Sequence, residues 1–192
     1  MKSGFIQNGY FLLSTFVTGV FYFCFYLAAL LFSLSLSFTV IGIPLVTRAL
    51  RTTTTFIQFE RAQAKKYAGI TTELYYRKET RGASVWAQSK IELTDRRNWS
   101  AIYWLMQKFV VGLVSLFSAA LLYVTPPACL LAPFLYRYVD MNFGFMRIDT
   151  FDKSLFVMGA GVLLAALSLK LADGLVQKIG GYTRIMIRQL NR

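Results

Sequence analysis

The sequence predicts an all-α integral membrane protein whose four transmembrane helices form two hairpins, each followed by a basic amphipathic helix on the cytoplasmic side. Three observations carry that expectation. Of the 192 residues, 56% are apolar and only 16% are charged, far from the mix of a soluble domain. The apolar residues fall in blocks separated by basic stretches, the layout of spans and loops. The basic residues are unevenly spread: residues 48–97 hold eleven of the 21 Lys and Arg and residues 170–192 hold five.

Met1 to Gly9 is expected as a short retained terminus, because the apolar segment that follows outruns a signal-peptide core of about 7–15 residues. From Ser3 to Thr47 there are 45 consecutive uncharged residues, too many for one crossing at about 20 residues per 30 Å of hydrocarbon and enough for two. The hydroxyl-rich stretch Ser33 to Ser37 is the expected reversal, with a kink in one bent helix as the other reading. Span one is then 10–32 and span two 34–50. Gly42 and Pro44 fall inside span two, where a proline removes an amide hydrogen bond and kinks the helix; both are candidate hinge residues.

A cytoplasmic connector follows over 51–99. Thr52 to Gly69 carries Phe56, Ile57 and Phe59 beside Arg61, Lys65 and Lys66 and predicts an amphipathic helix near the membrane surface that ends on Gly69 as a C-cap. Beyond it the chain mixes both charge signs, with a strand-like stretch at 73–77. Span three, 101–124, is entered through Trp99, Tyr103 and Trp104 as interfacial anchors and is expected to stop at Pro126 and Pro127. The extracytoplasmic segment 125–150 contains Pro133, a further candidate kink, in a piece that is either re-entrant or interfacial. Span four covers 151–172, with Lys153 and Lys170 snorkelling to the two interfaces, and a basic tail, 173–192, completes the chain.

The segment between spans three and four has only Arg137 and Arg147, matched by Asp140 and Asp149. By the positive-inside rule both termini and the connector are therefore expected in the cytoplasm. The net charge of +12 is accounted for by that topology and by anionic headgroups, and with no reading module present nucleic-acid binding is not expected. Shifting the sequence by 93 residues pairs Tyr10 with Tyr103, Phe16 with Phe109, Val17 with Val110 and Gly19 with Gly112, and a shift of 89 pairs Pro44 with Pro133. A duplication would give two hairpins of the same orientation, related by an axis along the membrane normal.

The stretches "GIPLVTRALRTTTTFIQFERAQAKKYAG", "DRRNWSAIYWLMQKFVVGLVSLFSAALLYVTPPACLLAPFLY" and "LLAALSLKLADGLVQKIGG" together resemble the bacterial and archaeal "putative sensor" domain, a four-helix membrane module usually fused to histidine kinases. The resemblance covers about Gly9 to Arg188. Its points are Gly42 with Pro44, Glu60 with Arg61, Asp95 with Trp99, and Ala132 with Pro133. The sequence departs from the kinase-fused pattern in ending at Arg192 with no histidine, so the resemblance implies a free-standing module in a prokaryotic cell membrane that acts through another chain.

Chemistry is largely excluded by composition. With no His and two Cys, neither a histidine acid–base site nor the usual transition-metal sites can be assembled, no phosphate-binding loop is present, and no cofactor is expected. No carboxylate falls at mid-bilayer, where an ionisable residue would mark a proton or ion pathway. Lys108 comes nearest and is expected to snorkel to the cytoplasmic interface, with Asp173 or Glu60 as its alternative ion-pair partner. Two functions follow. One is a non-enzymatic sensor or regulatory module in which the aromatic bundle of Phe21, Tyr22, Phe23, Phe25 and Tyr26 meets a lipid-like or membrane-active ligand, Gly42 and Pro44 form the bistable element, and Glu60 and Arg61 are output-helix contacts. The other is a structural accessory subunit of a multi-chain membrane transporter. Expected partners are membrane lipid and another membrane protein, whether a kinase, a regulator or a transporter; a homo-oligomer is also compatible.

Overall fold

The structure, a computed structural model, describes residues 4–36, 42–75, 85–135, 142–143, 146–147 and 150–191. Helix α1, Phe5–Ser35, is followed by α2, Gly42–Ala68, and α3, Val85–Thr94. Helix α4, Arg96–Ala119, passes through a π-helical turn, Ala120–Val124, into α5, Thr125–Leu130, and the single turn α6, Ala132–Leu135. Strands β1, Asn142–Phe143, and β2, Met146–Arg147, pair antiparallel, Asn142 opposite Arg147. Helix α7, Phe151–Leu190, is unbroken over 40 residues.

Three helical stretches are long and apolar enough to cross a membrane: Phe5–Ser33, Arg96–Leu130 and Phe151–Leu190. The expected span over 34–50 is not a single helix. Leu34 and Ser35 still belong to α1, and α2 starts only at Gly42, so the apolar part of α2 before Arg48 is under two turns. The serines explain why α1 runs on to Ser35 before the chain turns back: the Ser35 hydroxyl donates to the Leu31 carbonyl of its own helix, satisfying the backbone up to the last helical residue. Residue 37 lies outside the described residues.

Proline and glycine act differently from the expectation. Pro44 lies in the first turn of α2, where an amide hydrogen would have no intrahelical acceptor, so it starts the helix and kinks nothing. Pro126 and Pro127 do not end α4. They occupy the first turn of α5, and the π turn before them, in which the Thr125 amide reaches back to the Ala120 carbonyl, widens the helix and accommodates the proline rings. Residues 125–135 thus extend the helical column at the head of the expected extracytoplasmic segment. Gly69 closes α2 with φ +66°, as a C-cap glycine does. Glu73, Leu74 and Tyr75 form no strand, and residues 76 and 77 lie outside the described residues.

The three membrane-length stretches alternate in direction. Along α1 and the α4 column the contacts run Phe5 with Tyr123, Leu12 with Ser115 and Gly19 with Lys108, rising on one helix and falling on the other. The pair is antiparallel, so α1 and α4 do not share the orientation that two like-oriented hairpins require. The alignment by 93 residues nevertheless has a counterpart in space: an added Cβ on Gly19 would meet the Lys108 carbonyl oxygen at 2.8 Å and Phe109 Cα at 3.2 Å, while one on Gly112 would meet Phe16 Cα at 3.1 Å and the Thr15 carbonyl at 3.2 Å. Each glycine admits the residues that the shift assigns to the other, an arrangement locally two-fold across the crossing.

Helix α7 is antiparallel to the α4–α5 column, with Leu190 at Arg97, Tyr182 at Trp104 and Gly161 at Cys129. The first described turn of α1 and the end of α7 therefore lie at opposite ends of α4, contrary to the expectation that both termini share one side. The two basic stretches do not form a separate layer. Helix α2 packs along α1, from Thr52 at Tyr26 to Tyr67 at Phe11, and the second half of α7 continues its first half without a break. The core follows: Tyr22, Tyr26, Leu50, Ile57, Ala101, Leu105, Met186 and Ile187 form one cluster, and Phe11, Leu12, Val176 and Ile179 a second toward the other end of α1.

Candidate functional site

The centre of the bundle holds an ion pair. On α2, Thr53, Ile57, Glu60 and Ala64 recur at helical spacing and are all buried; on α4, Ala101, Leu105, Lys108, Gly112 and Ser115 form the corresponding seam. One carboxylate and one ammonium thus occupy positions that the period reserves for the core. Lys108 Nζ donates to Glu60 Oε2, and the residues are 3% and 2% exposed. Burial at that level requires a partner.

Aromatic rings enclose the pair on one side. Phe56 of α2 receives four rings of α1: Tyr22 at 4.9 Å, Phe25 at 5.4 Å, Phe21 at 5.7 Å and Tyr26 at 6.0 Å. Lys108 Nζ lies 5.8 Å from the Tyr22 ring centroid, within cation–π range. Phe23 takes the opposite side of α1 and stacks on Phe109 at 4.8 Å. The aromatic bundle is therefore the packing that fixes α2 and α4 on α1. Across the bundle the Tyr182 hydroxyl donates to the Trp104 carbonyl at 2.8 Å, and the two rings stand 5.5 Å apart.

The remaining sequence-predicted residues divide between corners and ties. Asp173 does not meet Lys108. It accepts from Asn8 Nδ2 at 2.5 Å, about three turns along α1 from the level of Gly19, where Lys108 sits. Lys108 does not snorkel either, because Glu60 satisfies it inside the bundle. Arg61, adjacent to Glu60, points its Nε to the Thr72 carbonyl at 2.8 Å and ties α2 to the segment that follows it. Trp99, 40% exposed, donates Nε1 to the Leu93 carbonyl at 2.8 Å, Tyr103 is exposed, and Trp104 is half-buried. Gly42 and Pro44 begin α2, away from the ion pair, and Pro133 sits in the single turn α6.

The Asp95-to-Trp99 motif is a corner. Asp95 caps α4 by accepting from the Arg97 amide at 2.9 Å, while Asn98 Nδ2 donates to the Glu92 carbonyl at 3.0 Å and Trp99 to Leu93. These side chains satisfy the end carbonyls of α3 and the first amides of α4 in a one-residue connection. Arg51 Nε then pairs with Glu92 at 3.2 Å, fastening α3 to α2.

With the motif residues located on this scaffold, the comparison is decisive: the family described as "Putative sensor" matches residues 11–187. The chain belongs to that family. No curated protein and no solved structure gives a significant match. In this member of the sensor family, Glu60 and the capping corner lie inside the matched region and have structural partners. The sequence reading missed the Glu60–Lys108 pair as the first choice for Lys108, although the signal was present: both charges occupy core positions of otherwise apolar helical seams.

Proposed function

We propose that the chain is a non-enzymatic membrane sensor or regulatory module that acts through a partner protein, with the docking of α2 as its output. The supporting observation is the buried Glu60–Lys108 pair. A charge pair sealed between two helices holds α2 in one position and makes release of α2 a discrete event, since neither ion is stable there alone. A lipid-like or membrane-active ligand that reached the bundle and separated α2 from α4 would change the surface that α2 and the connector present to a kinase or regulator. The expected setting is a prokaryotic cell membrane.

The test is affinity purification of the wild-type chain and of Glu60→Gln from native membranes in mild detergent, with mass spectrometry of co-eluting proteins and an activity readout of the partner found. A partner whose activity shifts in Glu60→Gln supports the sensor reading. A transporter recovered equally with both chains, with unchanged transport, would refute it and favour the accessory-subunit reading.

A further inference from the structure

A groove of about 550 Å³ separates the extended segment after α2 from the last turns of α7. Arg184 and Arg188 line it from α7, one turn apart and hence on one face. Thr72 and Glu73 line it from the other side, and Ile187 and Asn191 complete it. Both arginines are exposed, and neither has a hydrogen bond or ion pair among the described residues. Thr72 Oγ1, by contrast, is shielded from solvent and is not open to the groove. The wall that carries it is fixed in place: Arg61 holds the Thr72 carbonyl, Asn191 Nδ2 donates to the Leu74 carbonyl at 3.4 Å, and Gly180 of α7 lies against Ala68 and Ile70.

We propose that this groove binds a phosphate ester. Two neighbouring guanidinium groups supply the planar, charge-assisted donors that phosphate oxygens accept. Glu73 sets the class more narrowly. A carboxylate at the same groove has nothing to accept from bare phosphate but accepts from a hydroxyl or amino group carried beside the phosphate, as in a glycerol phosphate or a polar lipid headgroup. The groove is far larger than one phosphate group, so the rest of such a ligand has room. The site involves neither Glu60 nor Lys108 and does not depend on the reading of that pair.

The full chain, purified in neutral detergent, is titrated calorimetrically with glycerol 3-phosphate and, separately, equilibrated with phosphatidylglycerol and analysed by native mass spectrometry for bound lipid. Binding of glycerol 3-phosphate identifies a soluble ester as sufficient; binding of the lipid alone identifies a headgroup. In either case Arg184→Gln and Arg188→Gln should each weaken binding about tenfold, and Glu73→Gln should shift the preference toward inorganic phosphate. Lys170→Gln removes one positive charge from α7 about four turns away and should leave affinity unchanged. The arginines are exposed and make no internal contact of note, so these variants should melt as wild type. Binding of neither ligand, retention of wild-type affinity in the double arginine variant, or an equal loss in Lys170→Gln would overturn the proposal.

Discussion

Removing one member of the Glu60–Lys108 pair should cost far more than removing both. Lys108→Met keeps most of the side-chain volume and deletes the ammonium, leaving the Glu60 carboxylate 2% exposed and without its counter-charge. A buried charge stripped of its partner costs about 3–5 kcal/mol. For a chain of this size each kcal/mol moves the midpoint by about 2–4 °C, so the apparent melting temperature should fall by about 6–20 °C. Glu60→Leu should do comparable damage by isolating the ammonium. The double variant Glu60→Leu/Lys108→Met replaces the pair by apolar side chains in an apolar seam and should lie near wild type or above it, as replaced buried pairs commonly do. Intrinsic fluorescence during heating in detergent, applied to all four proteins as a double-mutant cycle, measures the coupling. Two single variants within about 0.5 kcal/mol of wild type, the level of an ordinary surface substitution, would refute the burial argument. So would a double variant that loses the sum of the two single losses, because the residues would then be acting independently.

Three further outcomes follow from the packing. In α7, Gly161→Ala places a Cβ 2.7 Å from Cys129 Cβ and should cost about 1–3 kcal/mol, whereas Gly159→Ala, which meets no described residue outside its own stretch of helix within 4 Å, should be neutral or slightly stabilising; thermal melts of the two variants make the comparison. Asp95→Ala removes the cap of α4 and should cost about 0.5–2 kcal/mol, with hydrogen exchange accelerated first at the amides of Arg97 and its neighbours. Cys24, exposed on α1 but inside a stretch long and apolar enough to cross a membrane, and the buried Cys129 should both resist a charged, water-soluble maleimide in lipid vesicles and both react after denaturation, with peptide mapping as the readout.

Much of the local structure was legible in the sequence. Gly69 ends α2 because its positive φ suits a residue without a Cβ, and the apolar blocks at the start, middle and end of the chain become the three long apolar stretches, the middle one through a π turn that absorbs Pro126 and Pro127. The family resemblance, carried by the spacing of Glu60, Asp95 and Trp99, was also readable, as was the period that puts Glu60 and Lys108 on core faces. The boundaries were less so. Ser33 to Ser37 looks like a turn on composition, and α1 does end inside it, at Ser35, but Ser33 to Ser35 are still helical because a serine hydroxyl can satisfy its own helix. Pro126 and Pro127 look like a stop, yet a π turn just before them provides the room that the rings need. Whether a proline ends, starts or is absorbed by a helix depends on the backbone on its N-terminal side, which composition does not record.

Composition, charge spacing and hydropathy period determined by themselves that this chain is helical, apolar enough for a membrane and built around seams of core positions, because those properties arise within one or two turns of a single helix. Only the tertiary structure decided that α1 and α4 run antiparallel, that Gly19 and Gly112 admit each other's helix, and that Lys108 meets Glu60 while Asp173 meets Asn8. Those choices depend on which helices lie side by side and at what register. A shift of a few residues along α4 would change every partner without altering the apolar faces, so the pairing is settled by close contact between glycines, rings and charges from distant parts of the chain.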